Sequence, residues 1–419
     1  MSYSKYLIVG CSHAGLSALD AIRIRDREGS VTMLTREGCL PYSPTILPYV
    51  VAGQSSPNKI YLRYEGELKR LAVTFRQEAE VVSVDPVAHE VTLNSGKKLG
   101  YEKLLLVTGA EPVVPSVKGL KSVPYQVLRT LEDAMRLCRI MRGVKAAIVL
   151  GAGLIAMHAV ENLAKAGKTV TVVVRSRMLR GYFDEVAGSL IQKIFTQNGI
   201  NVITGSQVAH IEPNNGGCHV FLESGEGISG DMLLVATGVR PCMDYLSGSG
   251  IDLNEGILVN ETMRTSAEDV WAAGDVAQAA GFFEREKKVD ATLPSAVEQG
   301  RMAGMDMVGD PYLKTYVGGL PVNTYNFFGN RAFSVGLSTA NESLEGIDVD
   351  QIHLPSSRQY QKMVFKEDCL VGIAGINRSV DPGIMYQLIR RQVNLKEVRA
   401  QFAADPQRMG RVLMTALWR

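Results

Sequence analysis

Two short turns hold the residues with the clearest chemical use. The first is Gly10-Cys11-Ser12-His13-Ala14-Gly15, which follows the apolar run Leu7-Ile8-Val9 and precedes the helical spacing Leu16, Leu19, Ile22. The second is Gly151-Ala152-Gly153-Leu154-Ile155-Ala156, which follows Ala146 to Leu150 and opens a helix expected over 157–166, closed by Gly167. At the end of a buried strand the first glycine of such a turn allows the sharp reversal. The second allows close backbone approach to a ligand, and a small third residue lets helix and strand pack. Backbone N–H groups at the helix start then point outward and favour an anion, a pyrophosphate above all. In the first turn Ser12 takes the middle place, where its side chain crowds the approach without closing it.

A dinucleotide site usually carries an acid for the ribose about 20 residues after the turn. Thr35 and Arg36 fill that strand end in the first unit, so Glu37 is the nearest candidate, a solvated surface glutamate being the alternative. In the second unit the place is taken by Arg175, followed by Ser176, Arg177 and Arg180. A guanidinium there suits a 2′-phosphate, which leans towards NADP; the alternative is a basic solvated loop.

These residues need strands and helices to hold them. Ser30–Leu34 and Thr169–Val174 read as the second strands of two βαβ units about 140 residues apart. Each unit is followed by a buried strand ending in Thr-Gly: Tyr101 to Thr108-Gly109, and Gly230 to Thr237-Gly238. The two are near repeats, and such strand ends line ligand crevices. A third strand, Thr265 to Ala273, runs into Gly274-Asp275, which puts a carboxylate beside backbone that can be approached closely.

In this order the five motifs resemble those of the pyridine nucleotide–disulfide oxidoreductase class of two-dinucleotide flavoprotein reductases, over nearly the whole chain. The resemblance implies an α/β fold: two Rossmann-like three-layer dinucleotide-binding domains, the second inserted in the first, plus a C-terminal α+β domain. Residues 1–115 and 244–318 would form the FAD domain, 116–243 the NAD(P) domain, and 319–419 an interface or dimerisation domain. Gly10, Ser12, His13, Ala14 and Gly15 would cradle the FAD pyrophosphate, and Glu37 its adenosine ribose. Asp275 after Gly274 would hold the ribityl chain, with Thr108, Gly109 and Gly238 at the crevice. Gly151, Gly153, Leu154, Ile155 and Arg175 would hold the nicotinamide cofactor, NAD with NADP not excluded. The segment Leu293 to Gly300 resembles a helix whose N-terminus faces the flavin and favours negative charge there.

Members of the class that reduce disulfides keep a redox cysteine against the flavin. Relative to Leu47-Pro48-Tyr49, that place follows Pro44 and holds Thr45, which cannot cycle, while Cys39 lies six residues earlier with no partner nearby. The other cysteines, Cys11, Cys138, Cys218, Cys242 and Cys369, are expected to be buried small hydrophobes. No cysteine spacing fits an iron–sulfur cluster or a zinc site. The loop from Leu40 to Gly53 is similar to a narrower branch, the FAD subunits of phenylglyoxylate:NAD oxidoreductases. That resemblance implies electrons taken from iron–sulfur subunits of a larger complex and passed as hydride to NAD. A stand-alone NAD(P)H reductase of ferredoxin, quinone or oxygen is the alternative within the class, and a non-catalytic FAD-binding scaffold or sensor the alternative outside it. No side chain stands out as an acid or base, as hydride chemistry allows. His158, where the class often has a carboxylate, reads as a packed helix residue or as a group tuning nicotinamide docking.

The composition fits a chain that buries real cores, neither disordered nor fibrous. The chain has 419 residues, with 45 Lys and Arg against 43 Asp and Glu, so bulk charge does not point to nucleic acid. Six cysteines in this length suit a reducing compartment, and no apolar run reaches membrane-spanning length, so a cytoplasmic protein is expected. From about Gly319 short alternating strands appear, such as Arg331–Val335 and Gln361–Phe365, then Leu370–Ile376 and a helix over 381–392. The tail, with Trp418, is either a partner contact or a frayed end.

Overall fold

The computed structural model describes residues 2–284 and 286–417, so Trp418 and the tail reading that rests on it lie outside the described residues. The chain divides into two compact units. One comprises Met1–Leu47, Ser55–Glu111 and Val239–Gly319; the other comprises Pro48–Gln54, Pro112–Gly238 and Leu320–Arg419. Three helices matter most for the candidate sites: α1 (His13–Arg25), α2 (Leu154–Lys165) and α3 (Leu293–Met307).

In the first unit the parallel strands run in the order Val73–Arg76, Val31–Leu34, Ser2–Val9, Lys98–Leu106, and Val270–Ala272 also pairs with the last of these. The register places Val9 beside both Leu34 and Leu106, and Leu106 beside Ala272. Four strands therefore end level, at the carboxyl edge where open α/β sheets bind ligands. Their side chains are apolar on both faces, as covered parallel strands require: Tyr6, Leu7, Ile8, Leu104, Leu105 and Trp271 are each almost fully buried. Helix α1 packs on α3 at very close range. A Cβ at Gly300 or Gly304 would collide with the carbonyl of Ala14 or Ala18.

The second unit contains another parallel sheet, in the order Ile200–Thr204, Thr169–Val174, Ala146–Leu150, Met232–Val235, Tyr125–Gln126. Ala146–Leu150 and Thr169–Val174 coincide with the strands expected from sequence. Helix α2 begins at Leu154, earlier than expected, because its first turn is the glycine turn itself. The strand before Thr108-Gly109 starts at Lys98, since its first residues pair antiparallel with Glu90–Leu93 in a hairpin.

Residues 320–419 contribute an antiparallel sheet in the order Val322–Phe327, Asn330–Gly336, Cys369–Ile376, Gln359–Lys366, Ile347–Leu354. A helix follows at Pro382–Arg390, capped by Asp381, whose carboxylate accepts hydrogen bonds from the Gly383 and Ile384 amides. This sheet is tied to the rest of its unit through Asp184. The Asp184 carboxylate accepts hydrogen bonds from Tyr360 at 2.6 Å and the buried Lys362 at 3.2 Å. No helix among the described residues is long and apolar enough to cross a membrane.

Candidate dinucleotide sites

At the first turn the chain leaves its strand at Gly10 with φ +117°, and a Cβ there would strike the Val107 carbonyl. Gly15, the third position, sits against the Gly10 carbonyl, so neither place accepts a side chain. The amides of the first turn of α1 have no partner within the helix. Ser12, the N-cap, gives them no side-chain bond, and no acid stands in that first turn. The Ser12 hydroxyl is directed at the Tyr42 carbonyl instead, at 3.4 Å. Donors without a competing negative charge fit a pyrophosphate, so the turn passes this test for a dinucleotide.

Around that turn the structure assembles most of the first group of candidate residues. Tyr42 donates to the Glu37 carboxylate at 2.7 Å, which fixes Glu37 just past the second strand. His13 Nε2 lies 2.8 Å from the Ser43 hydroxyl, and Ser43 lies 2.8 Å from Thr45 Oγ1 in the turn that Pro44 begins. Burial lowers the His13 pKa while the Asp275 charge acts in the opposite sense. Asp275 lies in a short turn, Gly274–Val276, and Gly274 packs on Ala14.

Sequence reading gave no role to Gln299, which is 1% exposed. Its amide accepts from the Gly274 N–H at 2.9 Å and donates to Tyr316 at 3.2 Å, so it fixes the backbone that carries Asp275. A polar residue in the apolar face of α3 was the available signal. Asp290, just before α3, is also deeply placed. Burial raises its pKa, although Ser295 donates to it at 2.6 Å.

The two Thr-Gly strand ends carry out one structural task twice. In the first unit Thr108 donates to the Cys242 carbonyl at 2.8 Å, and the Cys242 N–H donates to the Gly109 carbonyl at 2.9 Å. In the second unit Thr237 donates to the Val113 carbonyl at 2.7 Å, and the Val113 N–H donates to the Gly238 carbonyl at 3.0 Å. The threonine hydroxyls are thus used to anchor crossing chain.

The second turn has the more open face. Gly151 has φ +106° and abuts the Ala236 carbonyl, whereas a Cβ at Gly153 would meet nothing within 4 Å. Leu154 and Ile155 open the helix, Ile155 is exposed, and Ala156 is buried against the sheet. Here too the first helical turn contains no acid. Arg175 is exposed at the end of Thr169–Val174, and Arg177 donates to the Phe183 carbonyl at 2.8 Å, which shapes the basic loop. His158 is a packed helix residue: its ring lies 4.7 Å from Tyr325 and 5.8 Å from Tyr49, and burial lowers its pKa.

The cysteines require a correction. Of the five expected to be buried, only Cys218 is; Cys11, Cys138, Cys242 and Cys369 are partly exposed, as is Cys39. Cys11 lies in the glycine turn, Cys242 just after Val239–Pro241 and Cys369 at the first residue of its strand, while Cys138 sits in the helix Leu131–Ile140. Partial exposure does not activate them. Desolvation pushes the thiols of Cys11 up to about 12 and of Cys39 and Cys218 up to about 11, so none of these is a thiolate at neutral pH. No group of three His, Cys, Asp or Glu among the described residues could hold a metal.

Comparison with known proteins agrees with this geometry. Residues 4–300 match the family described as pyridine nucleotide-disulphide oxidoreductase. The chain is 48% identical, over all of its own length and 99% of the relative's, to NADH-dependent phenylglyoxylate dehydrogenase subunit epsilon of Aromatoleum evansii. It is 27% identical to rubredoxin-NAD(+) reductase of Pseudomonas putida, over 72% of this chain and 80% of that one. Among solved structures, a ferredoxin reductase from Rhodopseudomonas palustris superposes with a TM-score of 0.81 at 24% identity, covering 93% of this chain and 100% of that one. The chain belongs to the pyridine nucleotide-disulphide oxidoreductase family and is a flavin-dependent NAD(P) oxidoreductase.

Proposed function

We propose that this chain is the NAD-reducing FAD subunit of a 2-oxoacid dehydrogenase complex of the phenylglyoxylate type. Its electrons come from an iron–sulfur subunit of that complex. The observation that carries the reading is Thr45, a residue without redox chemistry where thiol-bearing members of the family present a cysteine. With Cys11 and Cys39 held as thiols, the flavin has no protein disulfide to reduce and must exchange electrons with an external acceptor or donor. Full-length similarity to the epsilon subunit supplies the kind of complex and favours NAD.

In this reading Gly10, Ser12, His13, Ala14 and Gly15 bind the FAD pyrophosphate through backbone donors, Glu37 its adenosine ribose and Asp275 its ribityl chain. Pro44, Thr45, Thr108, Gly109 and Gly274 complete the walls, and Gly238 lines the crevice of the second unit. Gly151, Gly153, Leu154 and Ile155 bind the nicotinamide cofactor's pyrophosphate, and exposed Arg175 offers NADPH a contact that NADH lacks. Bound FAD supplies the conversion between two-electron hydride exchange and one-electron transfer; the protein supplies binding and orientation. Residues 1–115 with 244–318, 116–243 and 319–419 then serve as FAD, nicotinamide and interface domains.

The test is oxygen uptake by the purified chain with NADH, compared with reduction of an iron–sulfur acceptor. Slow oxygen uptake beside fast acceptor reduction supports a subunit role. Fast oxygen turnover in isolation makes the chain a stand-alone oxidase and removes the partner.

A further inference from the structure

We propose that the C-terminal sheet, acting through Ser338, Tyr360, Lys362 and Asp184, sets how the second site tells NADP from NAD. The inference rests on the assignment of the nicotinamide cofactor to the second glycine turn. In a βαβ unit the loop after the second strand flanks the ribose of a bound dinucleotide. Here that loop follows Thr169–Val174 and ends at the helix Glu185–Gln197. Arg175 and Arg180 are exposed on it, while Met178, Leu179 and Phe183 are buried. An exposed guanidinium binds a 2′-phosphate more tightly when the backbone beneath it is already ordered, because binding then bears no ordering cost. What orders this loop therefore bears on which dinucleotide the site prefers.

The loop is fixed along its length. Near its middle Leu179, at φ +52°, donates its N–H to the Ala152 carbonyl inside the glycine turn at 2.9 Å. Further on, the Tyr182 carbonyl accepts from the Ser338 hydroxyl at 3.0 Å, and the Phe183 carbonyl accepts from Arg177 at 2.8 Å. Asp184 then closes it. One carboxylate oxygen caps the helix by accepting from the Ala187 amide at 3.0 Å. The other accepts from Tyr360 at 2.6 Å and from Lys362 at 3.2 Å. Burial opposes the charge on Asp184, yet these donors hold its carboxyl below the usual carboxylate range. Both ties come from one antiparallel sheet: Ser338 follows the strand Asn330–Gly336, and Tyr360 and Lys362 lie on Gln359–Lys366. The Lys362 side chain is only 3% exposed. A lysine buried that far needs a partner, and a well-packed apolar residue of its size often stabilises a fold as much or more. Stability alone does not account for it, whereas holding one end of a ligand-facing loop against a rigid sheet does. These four residues act through the loop and are positioning residues.

The test uses the full-length, FAD-replete protein, with NADP⁺ and NAD⁺ binding measured by calorimetry in the oxidised state. Lys362→Met should weaken NADP⁺ about ten-fold and NAD⁺ about two-fold or less, a coupling of ordinary size between linked sites. kcat at saturating NADH should stay unchanged. Tyr360→Phe and Ser338→Ala leave no buried charge unpaired, and should shift the same ratio in smaller steps even where Lys362→Met folds poorly. With Arg175 and Arg180 both changed to alanine, Lys362→Met should no longer move the ratio, because the groups being positioned are gone. Asp381→Ala uncaps the helix Pro382–Arg390 on the same sheet, and should lower the melting temperature with the ratio unmoved. Folded Lys362→Met, Tyr360→Phe and Ser338→Ala proteins that all keep the wild-type ratio would overturn the positioning. So would an equal shift in Asp381→Ala, or a wild type with no measurable NADP⁺ binding. Gly153→Val tests the assignment beneath it: nothing lies within 4 Å of a Cβ there, so the fold accepts the side chain while a dinucleotide on the turn is blocked. Undiminished binding of both nucleotides by Gly153→Val would overturn that assignment itself.

Discussion

Gln299 shows how a site residue works through another. Its side-chain amide satisfies the buried Gly274 N–H and the Tyr316 hydroxyl together. Gln299→Leu keeps the bulk but leaves both groups without that partner. Each unsatisfied buried group costs about 1–3 kcal/mol, so denaturant unfolding should show a loss of at least about 2 kcal/mol. Flavin content per chain should fall as well, because the backbone carrying Asp275 loosens. His158 gives a prediction on pH. Its pKa is lowered from 6.5 by burial, so below about 6.5 the unfolded chain binds a proton that the folded chain resists. Stability therefore falls as pH drops from 6.5 towards the lowered value, and is flat with respect to this group below it. The urea midpoint should decline between pH 7.5 and 5.5 in the wild type, and decline less in His158→Phe. An equal decline in both would remove His158 from the account.

At the scale of elements, the close crossing of α1 and α3 depends on two missing side chains one helical turn apart. A methyl at Gly300 would meet backbone that cannot rotate away, so the helices must separate. Gly300→Ala should cost about 1–3 kcal/mol, in the range for overpacked cores, and lower the melting temperature together with FAD retention. This contact was not legible in the sequence, because the partner carbonyls of Ala14 and Ala18 are almost 300 positions away. The strands Ala146–Leu150 and Thr169–Val174 were legible, being short apolar runs bounded by glycine and lysine. The start of α2 was less so, since the same residues write both a tight turn and a first helical turn. The Thr-Gly repeats were visible as repeats, yet their paired hydrogen bonds to Cys242 and Val113 needed tertiary structure to appear. The hydroxyl line from His13 was hidden for the same reason, as Ser43 is 30 residues away with no periodic signal between.

For the whole molecule, we propose two dinucleotide sites on one chain and flavin chemistry that uses no protein thiol. Alkylation gives a test at this level. Because Cys11, Cys39 and Cys218 are held as thiols well above neutral pH, iodoacetamide at pH 7 should leave flavin reduction by NADH essentially intact. Rapid loss of reduction on alkylation would mean that a cysteine takes part after all. Net charge, composition and the absence of long apolar runs fitted a large globular chain without naming a function. The glycine spacings carried the class, and the residue at position 45 carried the direction of the chemistry. The most direct measurement is anaerobic titration of the purified yellow protein with NADH and with NADPH, followed at the flavin band. The account predicts bleaching by NADH, reversed when a one-electron acceptor is added. Flavin that is bound but bleached by neither nucleotide would contradict it.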